Sequence, residues 1–170
     1  MHPRLWSFVP SGLRTDFDDV RDRDTDIDQG SGNYGNWEKL RVSQYGMGIE
    51  RVQSALSDNA IAGSGDLTIV GHSLGGGIAM LASLDSNVPA ITFSAAAVHD
   101  NTVKAAEITI NPSNIDIVNY RVDGEFLSGL NKITPNARTY GTTISLKGGT
   151  GNSLNRHSIN EHIRVLSSGK

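Results

Sequence analysis

The sequence predicts an α/β fold, in which a mainly parallel sheet is covered by helices on both faces. Short β-branched runs alternate with segments of helical periodicity along most of the chain, and this alternation is typical of parallel strands joined by helices. The clearest unit runs from Thr68 to Leu84. It combines a short apolar strand, a glycine-rich turn and a helix that is apolar nearly all round, as expected of buried elements. The length of 170 residues predicts one domain, spanning residues 1–170.

The turn in this unit carries a G-x-S-x-G motif, Gly71-His72-Ser73-Leu74-Gly75. In a nucleophile elbow, a strained turn of this type exposes the serine hydroxyl and directs backbone N–H groups at the position of an oxyanion. We therefore predict Ser73 as a nucleophile and the N–H of Leu74 as an oxyanion donor. A Cβ at Gly71 or Gly75 is predicted to collide with the neighbouring strand or helix. An incidental serine in a glycine-rich turn is the alternative, whereas a phosphate-binding loop requires a lysine and a longer glycine spacing.

The string GHSLGG, followed by a small apolar helix, resembles the class 3 lipases of the α/β-hydrolase fold and related bacterial phospholipase-like effectors. The resemblance continues with a strand at Ile91–Ser94, a strand ending at Arg121-Val122-Asp123, and His157 before a last helix. It covers about residues 66–167. It implies a serine esterase or lipase whose substrate is a lipid, such as a phospholipid, or another ester. We expect no cofactor.

An early strand is predicted at Leu5–Val9, closed by Pro10. In the resembling family, a small polar loop after such a strand supplies a second oxyanion N–H. Ser11-Gly12 and Arg14-Thr15 are alternatives for this loop, and we take Gly12 as the candidate donor. Because typical family members carry more chain ahead of this strand, the fold is expected to be shortened at its N-terminus.

The 5 histidines are candidates for the base that a serine nucleophile needs. In this fold the acid and then the histidine follow the serine along the chain, which leaves His157 and His162. A capping-box pattern, Ser158–Glu161, predicts that the last helix starts at Ile159. His157 then lies in the loop before the helix and is the predicted base, with His162 inside the helix about 140° round. His72 is interpreted as structural.

Asp123 is the predicted acid, because it follows a strand predicted over Ile115–Val122 and lies at the carboxyl end of that strand. Gly124 is then expected to turn the chain. Asp100 and Glu125 are weaker candidates, and a small error in the strand boundary favours Glu125. An Asp-Gly pair is also common in turns without any catalytic role.

Composition argues against several functional classes. The net charge is −3 and no basic patch is present, so a nucleic-acid partner is not expected. No run of 18 apolar residues occurs, so no transmembrane segment is predicted. The N-terminal segment is too short and too often interrupted by proline for a signal peptide, which leaves a cytoplasmic location and a non-classical route of secretion open. The absence of cysteine excludes disulfides and thiolate chemistry.

An acidic run early in the chain invites a calcium interpretation. Its aspartates are Asp16, Asp18, Asp19, Asp22, Asp24, Asp26 and Asp28. The alternating part, Asp22–Asp28, lacks the glycine and the closing glutamate that an EF-hand loop requires. We therefore interpret the run as a solvated acidic loop and predict no metal site.

Periodicity predicts the other elements. They are helices at Trp37–Leu56 and Asn101–Ile108, and strands at Ala90–Phe93 and Arg138–Leu146. Gly46 and Gly48 are expected to weaken the first of these helices.

Two functions are consistent with these patterns. The first is a serine esterase or lipase that uses Ser73, His157 and Asp123 as a triad and forms an acyl-enzyme. The second is a catalytically inactive hydrolase-like domain that binds a lipid or a partner protein.

Overall fold

The computed structural model describes residues 5–7, 35–58 and 67–169. Its strands are β1 Leu5–Ser7, β2 Thr68–His72, β3 Ala90–Phe93, β4 Val98–His99, β5 Ile117–Val122, β6 Ala137–Arg138 and β7 Thr142–Leu146. Its helices are α1 Trp37–Arg41, α2 Gln44–Leu56, α3 Leu74–Ser86, α4 Asp100–Ala105, α5 Phe126–Ile133, α6 Ser153–His157 and α7 Ile159–Ser167. The candidate second oxyanion loop with Gly12 and the aspartate run Asp16–Asp28 lie outside the described residues.

Within the described residues, five strands form one sheet in the order β1-β2-β3-β5-β7, and every neighbouring pair in it is parallel. At least one helix lies along the chain between each strand of this sheet and the next. Strands β4 and β6 form a separate antiparallel pair. This arrangement confirms the predicted mainly parallel α/β fold. Because the carboxyl ends of parallel strands lie at one edge of a sheet, the segments after β2, β5 and β7 meet there.

Helices cover both faces of the sheet, as the side chains of β5 show. Alternate residues of a strand point to opposite faces. Ile117 belongs to the main core, which also contains buried side chains of α2 and α3. Val122 and the partly buried Tyr120 instead pack with Leu146 of β7 and Val165 of α7. The catalytic candidates therefore lie at the edge of a sheet that has helices packed on both faces.

The helix predicted over Trp37–Leu56 is two helices, α1 and α2. Ser43 caps α2 by accepting the N–H of Gly46 at 3.4 Å. A Cβ on Gly46 would lie 2.3 Å from the carbonyl oxygen of Leu40, and one on Gly48 would lie 2.3 Å from a side-chain carbon of α3. These glycines permit close packing, a benefit that helix propensity alone does not reveal.

The strand predicted over Arg138–Leu146 is also divided, into β6 and β7. The chain turns at Gly141, which has a φ of 85°. A Cβ there would lie 2.2 Å from the carbonyl oxygen of Ile117. Helices α5 and α6 were not predicted from sequence, and each proves to position one of the candidate site residues.

Among the described residues, no helix is both long enough and apolar enough to cross a lipid bilayer. Helices α2 and α3, of 13 residues each, fall short of the roughly 20 residues that a crossing requires.

Candidate active site

Ser73 occupies the turn between β2 and α3 with φ 56° and ψ −124°, a conformation that L residues rarely adopt. Its N–H donates to the carbonyl of Phe93 at 3.0 Å, and its own carbonyl accepts from Gly76 at 3.0 Å and Ala96 at 2.9 Å. Such bonds hold a strained backbone that is otherwise unfavourable. The Ser73 hydroxyl makes no capping bond to α3, which leaves it available to another partner.

The glycines in and next to the motif differ in how much space a Cβ would find at each position. A Cβ on Gly71 would lie 2.2 Å from the carbonyl oxygen of Gly75, so the predicted collision at Gly71 is confirmed. A Cβ on Gly75 would have no described atom within 4 Å, so the collision predicted there is wrong. The close approach falls one residue later, at Gly76, whose Cβ would lie 2.7 Å from that of Ala95. The helix turns this next position, and not Gly75, towards the loop that follows β3.

Ser73, His157 and Glu125 form a continuous chain of side chains. Nε2 of His157 lies 2.9 Å from the Ser73 hydroxyl, and Nδ1 lies 2.8 Å from a carboxylate oxygen of Glu125. The side chains of His157 and Glu125 are 12% and 1% exposed. If Nδ1–H donates to the carboxylate, Nε2 is bare and accepts the serine O–H. An imidazole held in this way can act as a general base towards Ser73.

Asp123 does not contact His157, and its predicted position in the site is wrong. Strand β5 ends at Val122, and a tight turn follows in which the N–H of Glu125 donates to the Val122 carbonyl at 3.2 Å. Asp123 and Gly124 form the corner of this turn, where Gly124 has a φ of 79°. The Asp123 residue is exposed. The pair thus has the turn-forming role common for Asp-Gly, and the turn brings the next residue back to the imidazole.

Glu125 is also the N-cap of α5. Its carboxylate accepts the N–H groups of Leu127 at 2.9 Å and Ser128 at 2.5 Å, as well as the Ser128 hydroxyl. Burial by itself raises the pKa of Glu125, but the bonds from His157, Ser128 and Leu127 outweigh it and hold the pKa below its ordinary value. The anion therefore persists at neutral pH, at a helix end that favours negative charge.

The sequence predicted that His157 lies in a loop, but His157 is the last residue of α6. Helix α7 begins at Ile159 with Ser158 as its N-cap, which confirms the predicted helix start. The capping box is only half formed. Ser158 accepts the N–H of Glu161 at 3.3 Å, but the Glu161 carboxylate accepts from Thr150 in the loop before α6.

Two further histidines bond to the backbone at and next to the base, and the sequence indicated the partners of neither. Nε2 of His72 lies 2.7 Å from the carbonyl oxygen of His157. His162 is 0% exposed, with Nδ1 at 2.9 Å from the Ser158 carbonyl and Nε2 at 3.0 Å from the Ser94 hydroxyl. Burial is the main cause that lowers the pKa of His72 and of His162. No local pattern indicates the contact of His72 with His157 or that of His162 with Ser94, because each joins residues far apart in sequence.

Stability is expected to fall when the pH drops below about 6.5. Unfolded His72 and His162 bind protons near their ordinary value of 6.5, whereas the folded protein resists protonation of both. The unfolded state therefore binds more protons in this range, and the loss continues until the pH passes the lowered folded values. Glu125 adds a second loss below its ordinary 4.5, as its lowered folded pKa is approached.

Thermal unfolding between about pH 8 and pH 4 measures both losses. The variant His162→Asn should lose less stability below about pH 6.5 than the wild type does, because it lacks one of the two histidines whose pKa is lowered by folding. A melting temperature that is constant from about pH 7.5 to pH 5.5 would contradict this expectation.

Leu74 is the first residue of α3. Its N–H has no acceptor within the helix, because the first N–H groups of any α-helix lack one. It directly follows Ser73 and lies at the positive end of the helix dipole. It is thus suited to bind an oxyanion that forms at Ser73. Gly12, the other predicted donor, is not among the described residues.

Comparison with known proteins agrees with the α/β fold. No curated protein matches the chain. A family model described as phospholipase-like, the Tle-like phospholipase domain, matches residues 18–168. The match spans the described elements from α1 to α7, and with them Ser73, Glu125 and His157. The chain belongs to the family of Tle-like phospholipase domains.

Proposed function

We propose that this protein is a serine ester hydrolase that acts on phospholipids or related lipid esters. The observation that carries the proposal is the chain of bonds from Glu125 through His157 to Ser73, with lengths of 2.8 and 2.9 Å. Glu125 replaces Asp123 as the proposed acid. The class 3 lipase resemblance of the GHSLGG string supports the same chemistry.

The proposed reaction proceeds in two halves. His157 takes the proton of the Ser73 hydroxyl as the oxygen attacks the ester carbonyl, and the N–H of Leu74 donates to the oxyanion that forms. The imidazolium then gives its proton to the departing alcohol, which leaves an acyl-enzyme on Ser73. Water attacks the acyl group with His157 again as base, the imidazolium returns the proton to the Ser73 oxygen, and the acid product is released. Throughout, the carboxylate of Glu125 stabilises the imidazolium and holds its orientation.

A lipid substrate is supported by the family and by apolar side chains on the two helices that meet near His157. Apolar side chains are exposed on both helices that flank His157. On α6, Leu154 is 64% exposed, and on α7, Ile159 and Ile163 are 37% and 56% exposed. Exposed apolar groups on the helices that meet near the base suit a substrate that presents acyl chains.

An inactive lipid- or protein-binding domain is the less favoured alternative. A domain without catalysis has no need to place a serine in a strained turn within hydrogen-bonding reach of a histidine and a buried carboxylate. Strain of this kind is maintained where function requires it.

A fluorophosphonate probe and an activated ester distinguish the two functions. We expect the wild-type protein to hydrolyse the ester and to be phosphonylated on the peptide that contains Ser73, as identified by mass spectrometry. Phospholipid vesicles then test the lipid assignment through the release of fatty acid. A folded wild-type protein that neither hydrolyses the ester nor reacts with the probe would refute the enzyme proposal.

A further inference from the structure

The backbone that carries His157 is held by two other histidines at consecutive carbonyl groups. His157 ends α6, and the carbonyl of a terminal helical residue has no acceptor role inside its own helix. That carbonyl oxygen lies 2.7 Å from Nε2 of His72, and the next one, of Ser158, lies 2.9 Å from Nδ1 of His162. A carbonyl can only accept, so both ring nitrogens must carry hydrogen.

The contact from His72 joins the two reactive groups through a short path. His72 is the last residue of β2 and immediately precedes Ser73. Its ring donates to the backbone of the residue whose own ring faces Ser73, and the two imidazole centroids are 4.9 Å apart. A displacement of the α6–α7 junction away from the elbow would therefore lengthen this bond together with the distance from Ser73 to His157.

His162 holds the same junction from inside the protein. Its Nε2 accepts the hydroxyl of Ser94, which directly follows β3, so the ring connects the sheet to the backbone at Ser158. Ser158 is the C-cap of α6 and the N-cap of α7. The junction is therefore held from β2 by one histidine and from the end of β3 by the other.

We propose that His72 and His162 are positioning residues, whose ring N–H groups hold the carbonyls of His157 and Ser158 so that His157 stays in reach of Ser73. The proposal rests on the serine hydrolase function proposed above. Neither residue touches the reacting atoms. Their contribution is to the precision of the site, where a misplacement of about 1 Å can lower turnover by up to about a hundredfold.

Amide substitutions at the two positions test this proposal, because the two histidines use different ring nitrogens. A glutamine amide reaches the position of Nε2, and an asparagine amide reaches the position of Nδ1. We therefore expect His72→Gln to retain most of kcat and His72→Asn to lose up to about a hundredfold. At position 162 the order should reverse, with His162→Asn more active than His162→Gln. Both losses should fall on kcat, with KM for a short activated ester nearly unchanged.

His99→Leu is the matched control. His99 is buried, and its ring accepts the N–H of Asn101 at the start of α4. We expect this variant to lower the melting temperature without reducing kcat, which separates general loss of stability from loss of positioning.

The rate of phosphonylation of Ser73 by the fluorophosphonate probe gives a second readout. If the wild type is labelled, equal rates of phosphonylation in His72→Gln and His72→Asn would overturn the positioning role. So would the same order of Asn and Gln at both positions. If substitution of the fully buried His162 prevents folding, the comparison at the partly buried His72 decides the proposal. Absence of labelling in the wild type would instead refute the proposed function, and the positioning role with it.

Discussion

Ser73→Ala is expected to abolish ester hydrolysis, with turnover reduced by about 10⁶-fold. Without the hydroxyl no acyl-enzyme can form, and His157 has no proton to remove. The melting temperature should change little, because alanine keeps the Cβ and the hydroxyl that is removed makes no capping bond to α3. Initial rates with an activated ester and thermal unfolding of the same sample measure the two effects.

Ser86→Ala provides the control at the other end of α3. The Ser86 hydroxyl donates to the carbonyl of Ala82, away from the elbow. We expect this variant to keep full activity and to react with the fluorophosphonate probe as fast as the wild type does. Undiminished turnover in Ser73→Ala would show that another residue is the nucleophile.

Glu125→Gln is expected to lower turnover by about 10⁴-fold, whereas Asp123→Asn should remain close to the wild type. The amide removes the charge that stabilises the imidazolium, and its NH₂ group can donate to His157 and so favour the wrong tautomer. Asp123 is exposed at the corner of the turn, so its substitution leaves the imidazole unaffected. Steady-state kinetics of both variants, compared under identical conditions, measure the difference.

Glu125→Gln should also lower stability, by about 0.3–2 kcal/mol, because glutamine lacks the negative charge that the N-terminus of α5 favours. Kinetics must therefore be measured well below the melting temperature of the variant. Ser128→Ala removes one of the bonds to the carboxylate but keeps its charge, and it should retain far more activity than Glu125→Gln. A severe loss in Asp123→Asn with a mild one in Glu125→Gln would contradict the assignment.

The acid illustrates where sequence reasoning reached its limit. The end of β5 at Val122 and the turn at Gly124 were both predicted correctly. The error lay in the assumption that the first carboxylate after the strand faces the histidine. A tight turn reverses the chain within two residues, so the side chain at its corner points to solvent and the one after it returns to the sheet edge. Whether Asp123 or Glu125 reaches His157 depends on φ at one glycine and on a helix, α5, that propensity did not reveal.

The sequence by itself determined the α/β class, the unit of strand, turn and helix around Ser73, and the start of α7 beside His157. Each of these depends on local properties: periodicity, glycine at a close contact, or a capping serine. Only the tertiary structure decided that Glu125 is the carboxylate at His157 and that His72 and His162 hold the backbone there. These contacts join residues 32, 85 and 4 positions apart. The long ones exist because parallel strands bring their carboxyl ends to one edge. The short one depends on which face of α7 is buried, and packing against the sheet sets that face.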